Sequence, residues 1–532
     1  MTGRPEFIEG GTLNYLDRTN YGTVRMLDIE CYTNLFVICL DNPRQYFFSP
    51  QELQQHLWET YNTENPCTLV TYNGLAYDFP MLQYAYKYFM RPIENESVYA
   101  EIWAELKKFS DELIQNEKVF RERLGLPEGV RHIDLLPVCP VMTSLKLLGA
   151  RLGCESIQDL PYPHDTILTQ EQQLEVIKYC MHDLGITRLV WEDRKKNIDM
   201  RDWDQKNLSD AQISEREMCP ERRGGRKSVP VSVEVFGHKF DINQGSGSPI
   251  DPGLPDQVID GVTYQVGLGG LHSVDSPSVI DLRGNVDTVM LGVDVTGFYP
   301  SLLCGPLSHL MDESQLTRYK DTRANRTRAK IRAGELRELL NSGVTDEAVV
   351  IEYEEQSVRD EMGKLKTNSY FGKTGSRYSP AYNPTGMLSV TLLGQIYLLK
   401  LIRMLTDDPT YNLKILSANT DGVEVIMPTS SVGKFREVCK QWENETTMGL
   451  EEEKTLFVAR RDVNNYFMLV ESKKKPVKTK GIFEPSSIKK SLAFEIIYES
   501  VMASFGVSRK GACTPEDIRY YITKKSQDPT EF

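Results

Sequence analysis

Apolar runs that end in a carboxylate recur along this chain, and they constrain its fold more than any other feature. Val24 to Glu30 reads VRMLDIE, Val289 to Val295 reads VMLGVDV, and Leu413 to Asp421 reads LKILSANTD. Short apolar runs bounded by polar residues read as buried strands, and an ionised side chain at the end of such a strand must reach out of the core. Each run therefore delivers acid to a sheet edge. From Val24 to about Trp191 strands and helices alternate as in one α/β domain, and a Gly, Ser and Pro-rich stretch follows over 204–260. A second block opens near Val262. There the pattern predicts a charged helix over 313–340, a helix over 357–372, and two strands joined by a tight turn at Asp421-Gly422. With 532 residues the chain exceeds what one hydrophobic core serves, so the expected fold class is α/β and multidomain.

Composition narrows the function classes. Hydrophobic residues make up 40% and charged residues 26%, which excludes a disordered chain. The net charge of −13 speaks at first against a nucleic-acid partner, since phosphate is bound by displacing counterions with Lys and Arg. Binding needs only a local basic channel, however, and carboxylates that hold metals count as negative until the metal is added. Ten cysteines without a CxxC pair give neither a zinc ribbon nor a disulfide framework and suit a reducing cytoplasm. The start MTGRPEFIEGG has no apolar signal core, and no apolar stretch is expected to approach the roughly 20 residues of a bilayer span. The reading is a soluble, cytoplasmic protein without a membrane partner.

Asp28 and Glu30 lie two apart on a strand and so project from one face. Asn73, Tyr77 and Asp78 follow a second apolar run in VTYNGLAYDF, and Tyr179 precedes Asp183 by one helical turn in KYCMHDLG. Asp28, Glu30, Asp78 and Asp183 could surround two Mg2+ ions with hard oxygen ligands, while Tyr179 orients an attacking water. His182 is read as structural. For Asn73 the plain alternative is a turn residue in Asn-Gly.

The order DIE, NxxxYD, YxxxD resembles the proofreading 3′→5′ exonuclease of family B DNA polymerases, with its RNase H-like fold and four acidic ligands; tyrosine in the third motif marks the variant. The resemblance implies that Lys146 neutralises the scissile phosphate and that Asn73 and Tyr77 meet the primer end.

The second block extends the likeness. MLGVDVTGFYPSLL resembles motif A, with Asp294 as a metal ligand, the amides of Val295 to Phe298, including Gly297, facing a triphosphate, and Tyr299 excluding a ribose hydroxyl. KLKTNSYFG resembles motif B, so Lys364 would hold phosphates and Asn368 would pack on the nascent pair, with Phe371 in place of the commoner tyrosine. SANTDGVEV resembles motif C but has Asn419 where the pattern has its first aspartate; Asp421 keeps the ligand position. GLGGLHS, with Gly269 and Gly270, and KKKPVKTKGIF, with Lys478 and Lys480, resemble segments that touch the DNA backbone. On the charged helix Arg326 is placed at the γ-phosphate, with Arg323 and Arg328 competing.

The resemblance implies a right-hand polymerase of phage type joined to the exonuclease. Its expected parts are an N-terminal segment over 1–22, the exonuclease over 23–203, a connector over 204–260, palm over 261–311, fingers over 312–380, palm again over 381–483, and a short or partial thumb over 484–532. It implies two Mg2+ per site, with Mn2+ as a substitute, and as partners primer-template DNA, dNTPs and single-stranded DNA. About seventy residues between Asp294 and Lys364, and about fifty between Asn368 and Asn419, leave little beyond helices rising 1.5 Å per residue; protein-primed members of the family this chain resembles carry added subdomains in these intervals, so the resemblance implies a nucleic-acid primer. The short thumb makes a second polypeptide or a processivity factor a further expected partner, as for one part of a split polymerase. The rival readings are an exonuclease with an inactive palm, motivated by Asn419 and the short thumb, and a non-enzymatic DNA-binding scaffold.

Overall fold

Two β-sheets carry these apolar runs in the computed structural model, which describes residues 19–89, 96–115, 125–221, 227–472, 476–485, 487–489, 495–508 and 511–512. Most of the N-terminal segment, the lysines Lys473 to Lys475 and much of the expected thumb lie outside the described residues. The chain is mixed α/β and divides into two compact units, 1–209 with 486–492, and 210–485 with 493–532.

The first unit is built on strands β1 (Thr23–Tyr32), β2 (Leu35–Leu40), β3 (Gln45–Phe47), β4 (Cys67–Thr71) and β5 (Val130–Asp134), in the order β3-β2-β1-β4-β5. β1 runs antiparallel to β2 and parallel to β4, and β4 runs parallel to β5. All six residues of β2 and all five of β4 are buried, because both faces of the sheet are covered and no polar alternation is needed. Helices α1 (Pro50–Thr60), α2 (Asp78–Phe89) and α3 (Glu96–Ile114) pack with the face bearing Leu27, Ile29 and Cys31. The opposite face, bearing Met26 and Tyr32, packs with α4 (Leu145–Arg151) and α5 (Gln170–Asp199). Since strand side chains alternate, Asp28 and Glu30 share the face of Met26 and look toward α5.

The second unit holds a ten-stranded sheet and a separate hairpin, β6 (Ser232–Val235) with β7 (His238–Asp241). The sheet comprises β8 (Gln257–Ile259), β9 (Val262–Gln265), β10 (His272–Ser273), β11 (Ser278–Asp281), β12 (Thr288–Val295), β13 (Lys414–Asn419), β14 (Gly422–Pro428), β15 (Leu450–Asp462), β16 (Asn465–Val470) and β17 (Val477–Lys480). Its path is β17-β16-β15-β12-β14-β13-β10-β9-β8, with β11 paired to β15. Much of the expected connector is therefore ordered framework. Its helix α6 (Asp210–Met218) is pinned by Glu217 to Lys366 at 2.7 Å and by Glu215 to Lys373 at 3.4 Å. Its Gly-Ser stretch is clamped by the buried Arg377, which donates to the carbonyls of Gln244, Gly245 and Lys227.

After α7 (Phe298–Cys304), two long helices stand antiparallel, α8 (Glu313–Asn341) and α9 (Glu347–Thr374). Asp312 and Asp346 cap their first turns by accepting backbone N–H groups. Gly363 allows the helices to approach, since a Cβ there would lie 2.6 Å from that of Arg326. The next helix, α10 (Pro384–Thr406), corrects one expectation. It is long and apolar enough to cross a membrane, with mean hydropathy 1.5, yet 61% of that window is buried. Leu398, Leu401 and Ile402 are wholly inside the unit's main core, so the helix reads as a span because it is a core element. α11 (Val432–Thr446) packs beside it through Trp442, whose Nε1 donates to Tyr397 O.

Beneath the β13–β14 hairpin lies a buried ion network. Arg460 of β15 contacts Glu424 of β14 and lies 3.3 Å from Asp275, and the Arg460 and Asp275 side chains are each 3% exposed. The Ser273 and Ser417 hydroxyls donate to the same Asp275 carboxylate at 2.5 and 2.6 Å. Removing one partner of such a group strands the others without water. Arg460→Ala is expected to lower stability by about 3 to 5 kcal/mol in urea denaturation. A loss below about 1 kcal/mol, the range of exposed ion pairs, would show that water reaches Asp275 and Glu424.

Candidate active sites

In the first unit, β1 presents Asp28 and Glu30, and α5 presents Tyr179, Cys180 and Asp183 on the stripe that faces them. α5 starts at Thr169, whose side chain and that of Gln172 form a reciprocal capping box, fixing the helix phase at its entry. Oxygens of Asp28 and Glu30 and the sulfur of Cys180 lie within 4.8 Å of one another, and the Cys180 thiol is 3.6 Å from Asp28 Oδ2. Asp78 opens α2 at 2% exposure. Burial, and then the charge of Asp183, pushes Asp28 up to about 7. Burial followed by Asp28 likewise raises Glu30 and Asp78, and burial raises Asp183.

The chemistry of this donor set fits hard divalent cations. The Oδ1 atoms of Asp78 and Asp183 are buried and have no hydrogen-bond partner, and the His182 Nδ1 nearest Asp183 Oδ1 is 3.5 Å away. Asp78 accepts backbone N–H groups and Asp183 accepts from Tyr179 and His182, yet the buried Oδ1 atoms still call for positive charge, and the carboxylates of this cluster suit Mg2+ or Mn2+. His182 also meets Ser156 Oγ at 3.1 Å, in keeping with a structural part. Lys146 Nζ sits 4.9 Å above the Tyr179 ring and its charge lowers the Asp183 pKa, so the structure brings both residues to the acidic cluster.

The loop before Asp78 has an organiser that the motif reading missed. Asp134, at the end of β5 and 1% exposed, accepts from the Asn73, Leu75 and Leu136 N–H groups. Asn73 takes φ +67°, and a Cβ on Gly74 would collide with Thr71 Oγ1 at 2.1 Å. The signal was present, for RHID is another strand ending in aspartate. Tyr77, expected at DNA, meets Ser110 Oγ through its hydroxyl at 2.7 Å and packs on the α2–α3 core.

In the second unit, Asp294 stands at the end of β12 and Asp421 in the turn between β13 and β14. The turn falls on Thr420 and Asp421, one residue earlier than expected, with Thr420 at φ +57°. Gly422 is instead the first residue of β14, directly across from Asp294. A Cβ there would lie 2.1 Å from Asp294 Oδ1, so the carboxylate lies over the bare glycine toward Asp421. Both acids open into a cleft of about 880 Å³. Desolvation by its walls, then Asp421, raises Asp294 to about 6. Desolvation also raises Asp421, against the charges of Lys480 and Lys364.

The expected nucleotide contacts divide. Tyr299, Arg326, Lys364, Asn368 and Phe371 line the cleft, with the Tyr299 and Phe371 rings 4.7 Å apart. The Val295 N–H, however, donates to Asp421 O at 2.7 Å, and the Thr296 N–H to Gly449 O at 2.9 Å. These amides fix the acid-bearing turn and do not face a triphosphate, which corrects that expectation; those of Gly297 and Phe298 at the start of α7 remain on the cleft. Arg326 pairs with Asp360 at 3.0 Å, whereas the competing Arg323, also lining the cleft, donates to Ser301 Oγ at 2.6 Å. Arg328 reaches Asn325.

Gly269 and Gly270 form a seat for the acidic turn. Gln395 Nε2 donates to the carbonyls of Gly267 and Gly269 at 2.7 Å each, and a Cβ on Gly270 would lie 2.6 Å from Thr420 Oγ1. Lys478 pairs with Glu453 at 2.6 Å, while Lys480 feels both Asp421 and Asp294, although desolvation lowers its pKa overall. Glu451, across from Asp294 in the sheet and on the cleft wall, was not anticipated.

No family model and no curated protein matches the sequence. Among solved structures, the family B DNA polymerase from the hyperthermophilic archaeon Pyrobaculum calidifontis is similar in fold at 13% identity and a TM-score of 0.45. The similarity covers 95% of this chain and 64% of that one, so the chain spans just under two thirds of that polymerase's length.

Two outcomes follow from the geometry. Because the folded state holds Asp28 near 7, above the ordinary 3.8, it binds more protons than the unfolded chain between those values and loses stability as pH rises through them. Bound cations reverse that loss. The rise in thermal midpoint caused by Mn2+ should be several degrees larger at about pH 8 than at about pH 6, and reduced at both by Asp28→Asn; equal shifts would place the cation elsewhere. Gly422→Ala should weaken Mn2+ binding at Asp294 and Asp421 by about tenfold or more in calorimetry, and unaltered affinity would show that Asp294 does not depend on the bare backbone.

Proposed function

We propose that the chain is a template-directed DNA polymerase of the family B kind with a proofreading 3′→5′ exonuclease, extending a nucleic-acid primer. The observation that carries the reading is the meeting of Asp294 and Asp421 over Gly422 at the floor of a cleft lined by Lys364, Arg323, Tyr299 and Phe371. Paired carboxylates opposite cations are what in-line phosphoryl transfer requires, since most of that chemistry is positioning and charge neutralisation. Mg2+ held by Asp294 and Asp421 would supply Lewis acidity to the primer hydroxyl and the triphosphate. Lys364 and Arg323, with Arg326 behind them, attract the polyanion and orient it. Tyr299, backed by Phe371, offers a flat wall to the sugar. The Val295 N–H donates to the Asp421 main-chain carbonyl, which ties the turn carrying Asp421 to the strand end carrying Asp294.

In the first unit, Asp28, Glu30, Asp78 and Asp183 would hold the ions for hydrolysis. Tyr179, under the charge of Lys146, would set the water, and a frayed primer end would enter as a single strand with Asn73 near its terminus. The chemistry asks for primer-template DNA, dNTPs and single-stranded DNA as partners. The alternative, an exonuclease with an inactive palm, draws on Asn419 in place of the motif's first aspartate. A labelled primer on a DNA template, with Mg2+ and all four dNTPs, separates the two. Extension should fall on the order of a thousandfold in Asp294→Asn with excision kept, and excision should fall similarly in Asp28→Asn with extension kept. Excision without extension in the unaltered chain would leave only the nuclease.

A further inference from the structure

We propose that Asn419 is a positioning residue of the Asp294–Asp421 centre, tying the turn that carries Asp421 to the turn that seats Lys480. Asn419 closes β13, and every hydrogen-bonding atom of its side-chain amide is engaged. Nδ2 donates to Val463 O at 2.8 Å and to Asn464 Oδ1 at 3.3 Å, and Oδ1 accepts from Thr420 Oγ1 at 3.1 Å. The Asn419 backbone oxygen accepts from the Asp421 N–H at 2.6 Å. One residue thus grips the acidic turn by its main chain and the β15–β16 turn by its side chain.

The second turn is in turn fitted to the lysine strand. Gly481 follows Lys480 with φ +67°, and a Cβ there would lie 2.3 Å from both Asn464 O and Asn465 Oδ1. The Ile482 N–H donates to Asn465 Oδ1 at 3.0 Å, and Lys480 is the cross-strand neighbour of Tyr466. A continuous path of close contacts therefore runs from Asn419 through Val463, Asn464 and Gly481 to Lys480, the lysine whose charge acts on Asp421.

A carboxylate of the same shape at this position has no hydrogen to give. It would face the Val463 carbonyl without a donor and add a negative charge beside Asp421, so Asn419→Asp, which restores the aspartate of the motif this segment resembles, is expected to impair the centre. Only the catalytic arm of the test rests on the polymerase reading.

The experiment uses the full chain with Asn419→Asp, Asn419→Ala, Asn464→Ala and Lys480→Ala, taking Asp421→Asn as the reference for lost binding. Mn2+ affinity by calorimetry should fall about tenfold in both Asn419 variants and less in Asn464→Ala, the range seen when groups behind a metal ligand are removed. In primer extension kcat should fall while KM for dNTP changes by less than about twofold. Lys480→Ala added to Asn419→Ala should cost far less than the product of the single effects, because residues that act through one path are not additive. Asn419→Asp matching the unaltered chain in Mn2+ affinity, or full multiplicative effects with Lys480→Ala, would overturn the proposal. If an Asn419 variant does not fold, the Asn464→Ala comparison with Lys480→Ala decides by the same criterion. An unaltered chain that binds Mn2+ but extends no primer would sink the polymerase reading and leave the binding arm to judge Asn419.

Discussion

Like charges held close in a poorly solvated place are the constraint on which the rest of this protein depends. In the first unit, Asp28, Glu30, Asp78 and Asp183 converge where little water reaches, and each carboxyl is held above its ordinary range. A fold that buried such a group without return would be selecting against itself. The arrangement makes sense as a receptor for positive charge, and the unpartnered Oδ1 atoms of Asp78 and Asp183 are its open valences.

The second unit solves the same problem differently. Asp294 and Asp421 lie open to the cleft, and their repulsion is moderated by Lys480 and Lys364. Protein cations brought from β17 and α9 offset part of the charge, while desolvation by the cleft walls still holds both carboxyls above their ordinary range. Precision comes from the backbone: Gly422 lets the Asp294 carboxylate cross the strand, the Val295 N–H holds the main-chain carbonyl of Asp421, and Gly270 makes room for Thr420. Mutual fit of this kind is how a site keeps its first ligands within the narrow geometry that chemistry needs. The fully hydrogen-bonded Asn419 belongs to the same framework and converts a departure from the expected motif into a support.

Much of this could be read from the residues. Alternation placed Asp28 and Glu30 on one face, helical spacing joined Tyr179 to Asp183, and the charged helix expected over 313–340 spans Glu313–Asn341, whereas the helix expected over 357–372 starts ten residues earlier, at Glu347. What escaped was long-range. Nothing local in the Gly-Ser stretch shows that Arg377, more than a hundred residues later, holds the Gln244 and Gly245 carbonyls. Asp134 was passed over because its partners, the Asn73 and Leu75 N–H groups, lie some sixty residues earlier in the chain. The Val295 N–H was read as a donor to a triphosphate by the likeness to motif A; its partner is the Asp421 main-chain carbonyl, across the sheet.

The sequence by itself determined the elements and the chemistry they carry: apolar periodicity fixes strands and helices, and the cost of burying an ionised group sends each carboxylate to a strand end. Only the tertiary structure decided which ends meet, at what separation, and with which counter-charge. Those depend on pairings such as Asp294 with Gly422, and on contacts such as Gly270 with Thr420. Their energies arise between residues far apart in the chain, where local propensity has no reach.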